Sequence, residues 1–297
     1  MSTAHRVALV TCATFPDLWD DDHPLRDALR ERGVIVEAVR WDDESADWSR
    51  YDLTVIRSPW DYVARHDEFV AWAHRVPRLV NPAGIVEWNT DKVYLRDLAA
   101  AGIPTIPTEF VAPGRTWKPP AEGEWVVKPT ISAGSQDTGR YAFPAQSEQA
   151  SALVDRLHAA GRTVMIQPYL QAVDTAGETA LLCTPSASGE LSFSHAIRKG
   201  PMLTGPADGT IKPGDETITP RVPSEAELEV AANVLAAIPG GTSQLLYARV
   251  DLIPGPDGTP TLIELELTEP SLFLRSAPAA AARLADAILI RVTAQLS

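Results

Sequence analysis

The chain has 297 residues, 45% of them hydrophobic and 22% charged, enough for one large domain or two to three lobes around a buried core. Its formal net charge of −13 argues against nucleic acid or an anionic membrane as partner, because both select a basic surface; a local basic pocket for a nucleotide stays open. Cys12 and Cys183 have neither zinc nor CxxC spacing and read as small buried hydrophobes. No apolar run reaches the ~20 residues that span a bilayer, and no signal-peptide pattern opens the chain, so a cytoplasmic protein is expected.

Residues 7–11 form a short apolar strand. A helix over 24–32 ends at Gly33, suited to the left-handed position after a helix. Strands follow at 34–39 and 53–56, then a helix at 66–75 and a short strand at 79–80. This alternation predicts a parallel sheet in an N-terminal α/β lobe, residues 1–85. A helix over 91–101, capped by Asn89 or Thr90 and closed by Gly102, leads into chain held extended by Pro104 and Pro107. Residues 86–118 are thus a linking helix and connection. A strand at 125–128, a polar loop at 132–139, a helix at 147–160 and a strand at 163–167 make a small lobe, residues 119–172. The last lobe, 173–297, has strands at 179–184 and 191–198 joined by 186–189. Its Pro/Gly-rich stretch 200–223 is expected to be mobile. A helix follows, with Ser224 and Glu227 as a capping box. Strands at 245–253 and 261–267 form a hairpin, and a helix from about 278 closes the chain. The fold class is therefore α/β and α+β: a parallel α/β lobe, then a two-part α+β pair.

The chemistry concentrates on that hairpin. Glu264 and Glu266 are two apart, so they share one face of their strand. Opposed to Asp251, they would gather three carboxylates, which repel one another without a cation. Hard Mg²⁺ takes such oxygen ligands. A solvated strand face is the alternative, but Leu262, Ile263, Leu265 and Leu267 mark a buried strand, where unpaired acids are costly. Arg249 shares the face of Asp251 and could neutralise an oxyanion or phosphate oxygen, or form a structural salt bridge to Glu264 or Glu266.

Lys128 ends an apolar strand and needs an anion. The loop after it, Ser132, Ala133, Gly134 and Ser135 onward, is small enough for backbone N–H groups to approach phosphates; no GxxxxGK[ST] occurs, so it is no Walker loop. Lys92 would open a helix against its dipole unless it met an anion. Lys199 could meet a phosphate or an adenine edge. Each lysine alone is more often a solvated charge. Gln167, Pro168, Tyr169 and Leu170 end a strand at a lobe junction, where backbone groups could read adenine between apolar side chains. Asp174 and Glu178 could accept from ribose hydroxyls. His195 reads as a structural histidine.

In order, Asn89 to Lys92, Val126 to Pro129 with its small-residue loop, Gln167 to Leu170, Gly177 and Glu178, Arg249 and Asp251, and Glu264 and Glu266 resemble the ATP-grasp ligases across about residues 80–275. The resemblance implies the ATP-grasp fold, with Lys92 and Lys128 on ATP, the loop from Ser132 closing over the phosphates, and Tyr169 and Leu170 on adenine. It implies Glu178 on ribose and Asp251, Glu264 and Glu266 on one or two Mg²⁺ ions, with Mn²⁺ able to substitute. Arg249 would stabilise an acyl phosphate or tetrahedral intermediate. Glu266 departs from the pattern, which often has Asn there. The implied reaction moves the γ-phosphoryl of ATP to a small carboxylate, and a nucleophile then displaces phosphate.

A narrower set is similar to the cycloserine-synthetase branch, which cyclises O-ureido-D-serine in antibiotic biosynthesis: Arg57 to Tyr62, Asn81, Trp88 and Asn89, Ser132 to Ser135, Ser194 and His195, and Glu269 to Phe273. Arg57, at the carboxyl end of a parallel strand where open sheets bind ligands, could pair with a substrate carboxylate or ureido oxygen, or with Asp61. Trp60 and Tyr62 could wall the pocket. Two other readings remain: an intermolecular amino acid or peptide ligase resembling glutathione synthetase or ribosomal-protein glutamate ligase, and a nucleotide-binding regulator without turnover. The expected partner is a small amino-acid-like substrate, with a homodimer as the expected assembly.

Overall fold

The computed structural model describes residues 4–186, 189–207 and 216–294; the parts of the connection 186–189 and of the stretch 200–223 at 187–188 and 208–215 lie outside the described residues. The first sheet comprises β1 (Arg6–Thr11), β2 (Ile35–Arg40), β3 (Leu53–Ser58) and β4 (Leu79–Val80), parallel and ordered β2-β1-β3-β4. Side chains alternate across a strand. Val7 and Leu9 accordingly pack with Leu25 and Leu29 of the helix His23–Glu31, while Val10 and Ile56 meet Phe69 and Trp72 of the helix His66–Arg75. The closing helix Pro278–Ala294 returns to this layer: Leu284 and Ile288 join the same cluster as Val7, and Arg32 pairs with Asp286 at 2.7 Å.

The second sheet is antiparallel, ordered β5-β8-β6-β7, from β5 (Glu109–Val111), β6 (Gly123–Pro129), β7 (Gly139–Phe143) and β8 (Val164–Pro168). The helix Ser147–Ala159 covers one face through Leu153, Val154 and Leu157. The third sheet, ordered β11-β10-β9-β12-β13, is also antiparallel: β9 (Glu178–Pro185), β10 (Leu191–Lys199), β11 (Ile218–Arg221), β12 (Ala248–Pro254) and β13 (Pro260–Glu266). The helix Glu225–Ala236 carries the expected capping box. Among the described residues no helix is long and apolar enough to cross a membrane.

Three expectations change. The helix over 91–101 is shorter, Tyr94–Ala100, and is preceded by a separate helix, Ala83–Thr90, that the sequence reading did not anticipate. The break has a local cause: the Asp91 carboxylate accepts the Val93 N–H (3.1 Å), and the Lys92 N–H goes to Thr130 O (2.9 Å). Within the stretch expected to be mobile, 218–221 pair with β10, Pro220 opposite Ile197. The strand β7 was not anticipated, because five residues carry too little periodicity to separate from the loop before them.

The edge strand β13 shows how the layers lock together. An edge leaves backbone groups unpaired, and buried ones must find partners. Asn89 donates to Leu265 O (2.8 Å) and accepts from Leu267 N (2.6 Å). The Tyr94 hydroxyl donates to Leu265 O (2.8 Å) and accepts from Leu265 N (2.9 Å). Asn81, fully buried, donates to Tyr247 O (3.0 Å) and Leu267 O (2.6 Å) and accepts from Leu246 N (2.7 Å). The strand that carries the acids is thus pinned by side chains from early in the chain.

Candidate active site

A cleft of about 970 Å³ lies where the three sheets meet. Strand register assembles one wall: Asp251 sits opposite Glu264, and Arg249 opposite Glu266. Asp251, Glu264 and Glu266 each offer a carboxylate oxygen within 4.8 Å of the others. The expected repulsion is met by protein cations. Lys199 Nζ lies 2.8 Å from Asp251 and 2.7 Å from Glu178. Arg249 donates Nε to Asp251 (2.9 Å) and Nη2 to Glu266. Lys92 Nζ lies 3.1 Å from Glu264 and donates to Ser132 O (2.9 Å). Asp251 is fully buried and lies behind the cleft wall, which is faced by Glu264, Glu266, Glu178, Lys199 and Arg249.

Burial alone would raise both glutamates. Lys92 and Lys128 overcome it at Glu264 and hold that carboxyl low. At Glu266 burial prevails despite the Arg249 contact, because Arg249 is shared with Asp251 and the neighbouring acids add to the rise. Burial also works against Lys199, but Asp251 and Glu178 hold its ammonium well above the usual lysine range. Lys128 is different. It is buried, faces the cleft, and among the described residues has no ion-pair or hydrogen-bond partner, so burial pulls its ammonium down.

The small-residue loop also lines the cleft, through Ser132, Ala133, Gly134 and Ser135. Gly134 (φ 58°), Ser135 (φ 56°) and Asp137 (φ 55°) are left-handed, which turns the backbone sharply. The buried Asp137 fixes the far end by accepting from Arg156 (2.8 Å) and Arg162 (2.7 Å), and Arg162 also donates to Ile131 O (2.7 Å). Gln167, Pro168, Tyr169 and Leu170 reach the cleft as a group. Gln167 is held by Thr108 (2.8 Å), and the Tyr169 N–H is already given to Glu124 O (2.8 Å).

Two expected site residues are placed elsewhere. Arg57 does not line the cleft; it is 1% exposed, donates to Asp22 (2.8 Å) and Pro270 O (2.7 Å), and lies over the Tyr247 ring. A charge this deep is held by internal partners, here Asp22 rather than Asp61, which instead accepts from Trp41 (2.8 Å). Asp174 is exposed outside the cleft, taking the Tyr169 hydroxyl (2.6 Å) and Arg140 (3.1 Å). Lys92 reaches the cleft from a tight turn, so the opposing helix dipole is not its setting. His195 gives its ring to Leu272 O (2.9 Å) and Ser194 (3.1 Å), a structural arrangement.

Trp60 and Tyr62 do wall the cleft, joined by Phe15 and Trp19, which sequence reading passed over. Their signal was position: both follow β1 at the carboxyl end of a parallel sheet. Glu269 also faces the cleft, and its carboxylate accepts the Tyr62 hydroxyl (2.6 Å). Burial pushes the Glu269 carboxyl up more than Tyr62 and Lys92 pull it down.

Comparison with known proteins bears on this arrangement. A family described as the N-terminal domain of D-cycloserine synthetase DcsG matches residues 7–81. The cycloserine biosynthesis protein DcsG of Streptomyces lavendulae is 41% identical over 303 residues, covering 96% of this chain and 98% of the relative. The crystal structure of D-cycloserine synthetase DcsG superposes with a TM-score of 0.83 at 39% identity, covering 97% of this chain and 99% of that one. A D-alanine–D-alanine ligase from Bacillus anthracis, solved with ATP, has a TM-score of 0.64 at 13% identity over 98% of both chains, a likeness of fold.

Proposed function

This chain belongs to the D-cycloserine synthetase family, with the ATP-grasp fold, and on that premise we propose that it cyclises O-ureido-D-serine at the expense of ATP. It is an ATP-dependent ligase of cycloserine biosynthesis, an antibiotic pathway. The observation that carries the site assignment is the cleft wall of paired acids together with Lys128, a buried cleft lysine with no ion-pair or hydrogen-bond partner among the described residues. Lys128, Lys92 and the loop from Ser132 to Ser135 receive the phosphates of ATP. The segment Gln167 to Leu170 borders the adenine, and Glu178 the ribose. Oxygen donors from Glu264 and Glu266, with Asp251 behind them, fit Mg²⁺, because one carboxylate oxygen from each lies within 4.8 Å of the others and hard cations take such oxygen ligands. One or two ions, or Mn²⁺, would draw the phosphate oxygens and acids together when bound.

The substrate carboxylate attacks the γ-phosphorus, and ADP leaves. The ureido nitrogen that is bonded to oxygen then attacks the acyl carbon, closing the ring and expelling phosphate, and water cleaves the bond from that nitrogen to the carbamoyl carbon, releasing carbamic acid, which breaks down to carbon dioxide and ammonia. Arg249 borders the cleft beside the acids, placed to take up the negative charge that grows on the acyl oxygen. Lys199 holds Asp251 and Glu178 in register. Positioning and charge compensation supply the catalysis, so no protein nucleophile is required. The protein works on a small molecule, in the cytoplasm, as a homodimer.

ADP release with O-ureido-D-serine, its L-enantiomer and simple amino acids tests this reading. Release is expected with the D-ureido compound alone. Release that requires an added amine would replace cyclisation by intermolecular ligation. Tight ATP binding with no release from any of them would make the chain a nucleotide-binding regulator.

A further inference from the structure

Asp251, Glu264 and Glu266 each have a lysine or arginine at ion-pair distance. Glu269, three residues past Glu266, faces the same cleft and has no such partner among the described residues. Its one side-chain hydrogen bond among the described residues comes from a neutral donor, the Tyr62 hydroxyl at 2.6 Å. A second link holds the backbone: Trp60 Nε1 donates to Glu269 O at 3.1 Å. Trp60 in turn sits edge-on to Phe15 (5.4 Å) and Trp19 (5.8 Å), and the latter two meet at 5.1 Å. All three rings line the cleft. A carboxylate without a cation beside a wall of aromatic rings is the chemistry that recognises an ammonium group: the acid supplies charge, and the ring faces supply quadrupole attraction where water is thin.

We propose that Glu269, with the Phe15–Trp19–Trp60 wall, is the site for the primary α-ammonium of the amino-acid substrate. The inference rests on the reaction proposed above and adds to it which end of the substrate each lobe reads. The α-ammonium of an amino acid is one carbon away from its carboxylate. Glu269 faces the same cleft as Glu264 and Glu266, so one substrate can present its ammonium to the first and its carboxylate to the phosphoryl group beside the other two. The pairing has a chemical use. An ammonium held by a carboxylate carries no lone pair, so it cannot attack the acyl phosphate of a second substrate molecule. Glu269 belongs to the C-terminal part of the chain and the aromatic wall to the N-terminal lobe, so the ammonium would bridge the two.

The test compares O-ureido-D-serine with its deamino counterpart, 3-(carbamoylaminooxy)propanoate, in the wild type and in Glu269→Gln. Glutamine keeps an acceptor for Tyr62, so the fold contact survives. The expected result is a KM for the amino substrate raised about 10- to 100-fold, with KM for ATP and kcat/KM for the deamino compound unchanged. Equal losses on both compounds would make Glu269 a structural residue and overturn the proposal. Calorimetric binding of the two compounds to the wild type with ADP and magnesium is an independent reading: tighter binding of the amino compound supports the site, and equal affinity refutes it. Absence of ADP release by the wild type would defeat the proposed reaction, while this binding comparison would still decide the ammonium site.

Discussion

Arg57 near the end of β3 and Arg249 on β12 are both buried arginines close to carboxylates, and they do opposite things. Arg57 is enclosed: Asp22, the Ile56 and Pro270 carbonyls and the Tyr247 ring use the guanidinium completely. Arg249 is stretched between Asp251 and Glu266 with its other edge toward Ser271 O (3.3 Å), on a wall that faces open cleft. An enclosed charge stabilises a particular packing, whereas a shared charge at a cleft wall can answer a change in the charge opposite it. The difference lies in what surrounds the residue, since both are the same residue type at similar depth.

The comparison can be broken most directly on the cleft side. Asp251→Asn removes the carboxylate that anchors both Lys199 and Arg249, and it is expected to abolish ADP release while circular dichroism shows a folded protein. Full turnover by that variant would remove the metal assignment and the cluster's role together. On the enclosed side, Arg57→Met leaves Asp22 buried without its partner. A stability loss of about 3–5 kcal/mol in urea unfolding is expected, with kcat and KM of the folded fraction little changed. A collapse of kcat at unaltered stability would return Arg57 to the active site.

The smallest effect separates the loop anchor from the cleft. Burial would raise the Asp137 carboxyl, but hydrogen bonds from Arg156 and Arg162 hold it below the usual aspartate value. A depressed carboxyl contributes stability above its unfolded pKa of about 3.9, and that contribution fades as pH falls through the folded value. Asp137→Asn is therefore expected to cost about 1 kcal/mol at pH 7, modest because Arg156 is half exposed, with the gap to wild type closing in melts below about pH 4. A gap that persists unchanged at pH 3 would show that the anchor is not electrostatic.

Much of the scaffold was legible because it depends on local rules. Short apolar runs marked β1, β3 and the β12–β13 hairpin, and the Ser224–Glu227 box marked the start of its helix. The break at Asp91 was missed because the stopping bond runs to Thr130, and β11 because its pairing partner Ile197 lies across the Pro/Gly-rich stretch. Within the site, the acids and lysines were named from type and spacing, while Asp174 and Arg57 were drawn in by the same reasoning and excluded by their contacts. Phe15 and Trp19 went unread because two aromatics in a loop look like core until the sheet places them on a cleft wall.

The sequence by itself determined which side chains share a strand face: Glu264 with Glu266, and Arg249 with Asp251, since alternation is a property of the backbone. It also determined that a buried apolar strand would carry acids in need of cations. Only the tertiary structure decided which cations those are. Lys199 reaches Asp251 from 52 residues away, Arg57 finds Asp22 across 35, and Asn89 satisfies the edge of β13 across 176. Such pairs are chosen by how the layers dock and by the cost of leaving a buried charge or amide unpaired, and neither is written in the spacing of neighbouring residues.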